Sequence, residues 1–294
     1  MNRLGTMVIA VVVLGLLVTP LVLHFGQKRH DALTVELPPS AGDGPRGAAF
    51  AAAVSAVMTH ELDGFTGWRP NDLPPWGPML GPDNNASRQI GILLALRETV
   101  RVAKDNLTKV SSDVYDPNLV QADNLLRNDP EKWAFPSAES RYERAVERIH
   151  AYADGLATDP PTSRPINARN VELIRLLSAW TDLLGGAHAD LFGNRVEWFK
   201  LDDVYYQASG YCHVIAHLIP AIQLEYDREL TSRPVLSQLL AEAQVPLARC
   251  ATMKPIVVFN GGDTSVLANH RRNLDAYVTE ARQKLYSARE ELEK

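Results

Sequence analysis

The feature that most constrains this chain is a long uncharged stretch at its N-terminus. No Asp, Glu, Lys or Arg occurs between Leu4 and Gln27, and the centre reads "MVIAVVVLGLLVTPLVLHF". About 20 apolar residues in a helix cross the hydrocarbon layer of a membrane, so the stretch is long enough. A cleaved signal peptide would end in small residues, whereas bulky and basic residues follow this core. We therefore expect residues 1–29 to form an uncleaved signal anchor, a single transmembrane helix.

The charges that flank this stretch bear on its orientation. Arg3 and the amino group lie on one side, and Lys28 and Arg29 on the other, which is close to a balance under the positive-inside rule. A short tail with two charges is hard to translocate. We expect a single span with the short tail inside and the main domain outside the cytoplasmic membrane; the cytoplasmic side is the alternative for the main domain. The Pro- and Gly-rich residues 30–46 are interpreted as a linker.

The remainder of the chain is acidic. The 294 residues contain 30 Lys and Arg and 35 Asp and Glu, and three basic residues but no acidic one fall within residues 1–29. The rest therefore carries 27 basic against 35 acidic side chains. Because such a domain repels phosphate backbones, no nucleic-acid partner is expected.

Residues 47–294 show mostly helical periodicity and predict an all-α domain of about seven or eight helices. Ser87, Asp116 and Ser137 are the predicted N-caps of three of them, and the pair Gly185–Gly186 is the predicted stop of another. The run "PIVVFNGG" is too short and solitary to predict a sheet.

The last predicted helix, residues 264–293, has apolar residues at a spacing of three and four, interrupted by Arg271. They are Leu267, Leu274, Val278, Ala281, Leu285, Ala288 and Leu292. This spacing resembles a coiled-coil seam for a partner. The alanines and the arginine favour the alternative, a helix packed on its own domain.

Cys212 and Cys250 are the only cysteines. If helices 203–230 and 233–250 form an antiparallel hairpin, the two residues lie level across it, because both are equally far from the turn. Outside the cytoplasm such a pair can form a disulfide. Two buried thiols that act as small hydrophobic groups are an equally good interpretation.

His213 and His217 are four residues apart, so both imidazoles can face one metal ion. Zinc sites need three or four ligands, and no third ligand lies nearby in the sequence. Core histidines are therefore the favoured interpretation, and we expect neither a metal nor a cofactor. The chain also lacks a P-loop, a dinucleotide fingerprint and a nucleophile elbow.

Residues 64–85 form an irregular stretch that contains "GWRPNDLPPWGPMLGPDNN". Loops longer than about 12–15 residues in compact domains are usually functional or disordered, and Trp68 and Trp76 argue against disorder. Arg69 to Asp72 fit a type I turn with proline at the second position. We expect an ordered segment, anchored by its tryptophans, that lies across a helical body.

Several segments together resemble the bacterial membrane-associated proteins grouped as domain of unknown function 2333. The most specific are "GWRPND" and "WAFPSAE", and "RQIGILLALR", "NARNVELIRLL" and "PIVVFNGG" follow the same order. The resemblance implies an envelope-located, single-span, mostly helical protein without an assigned activity. It singles out Trp68, Pro70, Asn71, Asp72, Asp83, Asn84, Trp133, Pro136, Glu139, Asn170, Asn260 and Gly261. The histidine pair and the two cysteines do not belong to that pattern.

Two functions remain open on these observations. The first is a binding or scaffolding component of the cell envelope, with a protein or glycan partner and no catalysis. Its candidate binding residues are Trp68, Asn71, Asp72, Asp83, Asn84 and Glu139. The alternative is an envelope hydrolase that uses acidic residues of the 61–85 region, Glu61, Asp63, Asp72 and Asp83, together with Glu139 as acid and base. Capture of a small ligand between helices is a third possibility.

Overall fold

A computed structural model describes residues 3–30, 33–39, 44–72, 84–109, 114–193, 200–255, 257–262 and 265–294. Within them the chain forms ten α-helices and no strand, and a π-helical turn at Ala103–Leu107 extends the third helix. The helices are α1 (Arg3–His30), α2 (Ala48–Asp63), α3 (Asn84–Val102), α4 (Pro117–Leu126), α5 (Ala138–Leu156), α6 (Asn170–Phe192), α7 (Leu201–Glu225), α8 (Asp227–Thr231), α9 (Pro234–Thr252) and α10 (His270–Glu293). The all-α prediction is confirmed. The described part of "PIVVFNGG" contributes one isolated bridge, between Asn260 and Asn269.

Nine of these helices follow α1, where seven or eight were predicted. The difference arises because the predicted helix 203–230 is divided at Tyr226 into α7 and the short α8. Two of the three predicted N-caps are confirmed. Asp116 accepts hydrogen bonds from the amides of Asn118 and Leu119, and the Ser137 side chain accepts one from Ser140, so both are N-caps.

The other two helix-end predictions were wrong. Ser87 lies inside α3, where its hydroxyl donates to Asp203 at 2.7 Å instead of capping the helix. Gly185 does not stop α6, which continues to Phe192 and ends at Gly193. A Cβ at Gly185 would lie 3.2–3.3 Å from the guanidinium of Arg282 on α10. Close packing between two helices therefore explains this glycine better than a helix stop.

Helix α7 lies at the centre of the fold and packs against α2, α3, α6, α9 and α10. Its crossing with α3 is tight because glycines face the partner backbone from both sides. A Cβ at Gly91 would collide with the Gln207 carbonyl, and one at Gly210 with the Arg88 carbonyl. At the C-terminal end of α7, the buried Glu225 carboxylate accepts the amides of Gly47 and Phe50 at 2.7 and 3.0 Å and so caps α2.

Helix α10 packs on its own domain, against α6 and α9. The predicted seam residues from Leu274 to Leu292 are buried there, while Leu267 precedes the helix and is half exposed. Arg271 interrupts the seam because it binds the end of α6: its Nη2 donates to the carbonyls of Asp190 and Gly193 at 3.1 and 2.7 Å. The apolar spacing of α10 thus serves an internal interface.

The N-terminal residues form α1 and an extended segment, residues 33–39. In α1 the structure describes the side chains without a gap only over residues 3–19. Over the described side chains, no helix is long and apolar enough to span a membrane. The transmembrane segment therefore stays a prediction. Leu33, Val35 and Leu37 pack against the hydrophobic core, so part of the predicted linker 30–46 lies on the domain. Its signal in the sequence is the apolar–polar alternation in "LTVEL".

Candidate functional site

The candidate site is built around the segment Gly64–Asp72, which we call the strap. The first turns of α3 hold the strap through two backbone groups and one side chain. The Gln89 amide accepts a hydrogen bond from the Arg69 amide at 2.8 Å and donates one to the Gly67 carbonyl at 2.9 Å. Asn85 donates to the Thr66 hydroxyl at 3.0 Å. The strap is therefore an ordered segment, as the sequence predicted for this part of the 64–85 region.

Trp68 anchors the strap to the opposite side. Its side chain is 3% exposed, and its indole nitrogen donates to the Pro130 carbonyl at 2.9 Å. The ring meets Tyr142 of α5 edge-on, with 4.9 Å between centroids. Burial raises the pKa of Tyr142, whose hydroxyl donates to the Asn128 carbonyl. Trp68 is thus a structural anchor, and little of its surface is left for a ligand.

Beneath the strap lies a buried ion pair between Glu61 and Arg88. The Arg88 Nη2 donates to both carboxylate oxygens of Glu61, at 2.9 and 2.7 Å, and the two side chains are 2% and 0% exposed. Arg88 Nε also donates to Asn85 at 3.3 Å. Sequence reasoning missed Arg88, although an arginine within the apolar helix "RQIGILLALR" was a usable signal. Because Glu61 is enclosed and fully engaged, it is unsuited to acid–base chemistry on a substrate.

Asn71, Asp72 and Glu139 come together where the strap meets the first turn of α5. Asn71 Nδ2 donates to the Glu139 carboxylate at 2.7 Å and to the Lys132 carbonyl at 3.2 Å. The amide of Asp72 donates to the Arg69 carbonyl at 3.2 Å, which closes the predicted turn, and its carboxylate forms an ion pair with Arg69. Burial raises the pKa of the Asp72 carboxyl. The nearby negative charge of Glu139 raises the pKa of Asp72 further, while Arg69 lowers it.

The remaining predicted binding residues are placed differently. Asn84 is buried at the start of α3, and its side chain is 3% exposed. Asp83 and Trp76 lie outside the described residues. Asn260 and Gly261 belong to a separate turn, in which the Gly261 carbonyl accepts from the Asn269 side chain at 2.6 Å. Three of the six candidates, Asn71, Asp72 and Glu139, therefore form one cluster.

A short loop beside this cluster exposes two aromatic side chains. The aromatic loop, residues 130–137, holds Trp133 at 63% and Phe135 at 100% exposure. Its backbone accepts from Trp68 at Pro130 and from Asn71 at Lys132, so the strap fastens it. Phe135 was missed in the sequence, although "WAFP" directly before the N-cap Ser137 is an aromatic pair outside any helical periodicity.

The cysteines and histidines do not form a metal centre. Within the described residues no group of three or more His, Cys, Asp or Glu side chains is arranged to hold a metal ion. Cys212 and Cys250 are free thiols, both fully buried. Burial raises the pKa of Cys212, and the neighbouring Cys250 raises it further, which fits the predicted level placement across the α7–α9 hairpin. Of the two interpretations left open, the structure contains the buried thiols.

Comparison with known proteins identifies a family for the chain. No curated protein and no solved structure matches the chain. A family described as an uncharacterized protein conserved in bacteria, DUF2333, matches over residues 2–194 and 186–294, which together cover nearly the whole chain. The chain therefore belongs to this bacterial family.

Proposed function

We propose that this protein is a membrane-anchored component of the bacterial cell envelope that binds another envelope component through the aromatic loop. The observation that carries the proposal is the exposure of Trp133 and Phe135, at 63% and 100%, on a loop that the strap fastens. Large aromatic side chains supply much of the binding energy of interfaces. Two aromatic side chains that an ordered backbone holds exposed to solvent are suited to bind a partner.

The polar groups next to the aromatic loop complement it. Asp72, whose side chain is 32% exposed, and Glu139 carry carboxylate oxygens that accept hydrogen bonds from hydroxyl or amide groups. Glycans and polypeptides both offer such donors. Trp68 and Gln89 anchor the strap, and the strap in turn holds the aromatic loop. Binding of a partner therefore requires little loss of conformational entropy in the loop.

The membrane anchor is supported by the sequence. The stretch from Leu4 to Gln27 has no charged residue, and α1 runs through it from Arg3 to His30. With the first residues inside, the domain that carries the aromatic loop lies on the periplasmic side of the cytoplasmic membrane, where envelope protein or glycan is within reach.

The hydrolase alternative has weaker support. Among its candidate acids, Glu61 is enclosed by Arg88, Asp72 is paired with Arg69, and Glu139 accepts from Asn71. Each of these three carboxylates thus already has an internal partner, whereas Asp63 is exposed at the end of α2. A general acid or base needs direct reach to a substrate proton, which the Glu61 carboxylate lacks.

In-cell photocrosslinking tests the proposed binding site. A benzoyl-phenylalanine at Phe135 of the full chain should crosslink reproducibly to one envelope component. The same amino acid at Phe192, which is 65% exposed at the end of α6, is the matched control and should not give that product. The proposal is wrong if both positions give the same products, or if the Phe135 probe captures nothing while the purified protein cleaves envelope glycan.

A further inference from the structure

The segment from Leu33 to Leu37 lies over a cavity between α7 and α9. The cavity has a volume of about 390 Å³, and it is lined by the segment, by residues of α7 around His217 and by residues of α9 around Ala248. Leu33, Val35 and Leu37 pack inward, while Thr34 and Glu36 are exposed. In the sequence, two residues separate the segment from the end of α1 at His30.

His217 contacts the segment in an unusual way, because both of its ring nitrogens face carbonyl oxygens. Nδ1 lies 2.7 Å from the carbonyl of His213, one turn earlier in α7, and Nε2 lies 3.3 Å from the carbonyl of Leu33. A carbonyl oxygen only accepts hydrogen bonds, and a neutral imidazole carries one N–H. Only the imidazolium, with two N–H groups, makes both bonds.

The neutral ring therefore has to give up one of the two contacts. The 2.7 Å bond to His213 is the shorter, so the single proton of the neutral form belongs on Nδ1. The lone pair of Nε2 then faces the Leu33 carbonyl, which is a repulsive arrangement of two acceptors. Protonation converts that repulsion into a charge-assisted hydrogen bond.

We propose that His217 is a proton-controlled latch that ties the 33–37 segment to the domain in its imidazolium form and loosens it in its neutral form. Acidification thus tightens the attachment, and raising the pH through the range in which histidines lose their charge, about 5 to 8, weakens it. The stabilisation is present at low pH and lost as the pH rises, as required for a group that gains a partner when protonated.

The surroundings leave His217 as the group that changes charge at this contact. His213, the other histidine of the cavity, is 3% exposed, and burial followed by the proximity of His217 holds its pKa well below the usual range. The proximity of Arg88 of α3 and His60 of α2 lowers the pKa of His213 further. The α9 residues of the lining are the uncharged Gln244, Ala248, Ala251 and Thr252, and Glu36 of the segment is exposed.

A spin label on the segment tests the latch in the full chain in detergent. Thr34→Cys is suitable because Thr34 is exposed, and the two native cysteines are fully buried and hence protected from labelling. Urea is added below the unfolding transition until the spectrum at pH 8 shows both attached and released segment. Lowering the pH to 5 should then raise the attached-to-released ratio at least about tenfold, the lower end of what a hydrogen bond from a charged group contributes.

Two variants in the labelled background separate the latch from general pH effects. His217→Gln cannot become a cation and should hold the ratio constant between pH 5 and pH 8. His150→Gln, at an exposed position of α5, is the matched control and should keep the tenfold change. Nitrogen-15 spectra of the histidines, assigned with His217→Gln, should show both His217 nitrogens protonated at pH 5. An unchanged ratio in the parent, or a pH response that persists in His217→Gln, overturns the proposal.

Discussion

Two ion pairs, one beneath the strap and one within it, differ in their exposure to water. Below it, Glu61 and Arg88 are 0% and 2% exposed, and two hydrogen bonds join the carboxylate to one guanidinium nitrogen. On the strap itself, Asp72 and Arg69 are 32% and 12% exposed. The first pair is sealed between α2 and α3, and the second lies at the surface beside the aromatic loop.

The difference shows that acidic residues close in sequence have separate roles here. Glu61 and Asp72 are eleven positions apart and both were candidates for chemistry. Burial, with both carboxylate oxygens hydrogen-bonded to Arg88, makes Glu61 part of the domain's interior, and removal of either partner leaves an uncompensated charge. Partial exposure keeps the second carboxylate within reach of a ligand, where an ion pair contributes little to stability.

Breaking the buried pair should have the largest effect. Glu61→Gln leaves the Arg88 guanidinium buried without its countercharge and should lower the free energy of unfolding by about 3–5 kcal/mol. Urea denaturation of the purified domain measures this change. The double variant Glu61→Met with Arg88→Leu is the control: apolar side chains of similar volume should recover most of the loss. A cost below about 1 kcal/mol for Glu61→Gln would contradict a sealed, structural pair.

The anchor of the strap comes next in size. Trp68→Phe retains an aromatic ring against Tyr142 but removes the donor to the Pro130 carbonyl, and a buried acceptor without its donor costs about 1–3 kcal/mol. The free energy of unfolding of this variant should fall by that amount. Trp133→Phe, a change on a 63% exposed ring, should alter it by no more than about 0.5 kcal/mol. Equal effects of the two substitutions would show that Trp68 is not an anchor.

The sequence predicted the features that depend on local chemistry. The N-caps Asp116 and Ser137 and the turn at Arg69–Asp72 each need only a few neighbouring residues, and they are confirmed. The stop at Gly185 was wrong because the reason for that glycine is a guanidinium on α10, almost 100 positions later. The partner of Glu61 was likewise not predictable from spacing, since the pairing with Arg88 depends on how α2 and α3 pack.

The candidate site shows the same division. Asn71 and Asp72 were recognised because Asx residues beside proline mark a turn. Their approach to Glu139 depends on the packing of the strap against α5, which only tertiary structure reveals. Phe135 escaped notice because an exposed aromatic residue has no periodicity, and its exposure became visible only once the loop was placed.

The surface ion pair should give a smaller, pH-dependent effect. Burial raises the pKa of Asp72 in the folded protein, so this carboxyl contributes stability below its unfolded pKa, and the contribution is lost as the pH rises through the folded value. Asp72→Asn removes this dependence. Relative to the parent, the variant should gain stability between pH 3 and pH 7, by less than about 1 kcal/mol because the pair is partly exposed. Thermal unfolding at several pH values measures it, and a relative loss over that range would reverse the sign we assign.

The smallest expected effect on stability is at the aromatic loop. Substitutions there distinguish most clearly between a binding residue and a residue that stabilises the fold. Phe135→Ser alters a side chain that is 100% exposed, so the free energy of unfolding should change by no more than about 0.5 kcal/mol. If the loop is a binding surface, the same substitution should remove most of the crosslinking of a photoprobe placed at Trp133. Phe192→Ser, at a phenylalanine of α6 that is 65% exposed, should leave that crosslinking intact. If Phe135→Ser retains both its stability and the crosslinks, Phe135 has no partner. If it loses the crosslinks alone, Phe135 serves recognition, whereas residues such as Glu61 stabilise the fold.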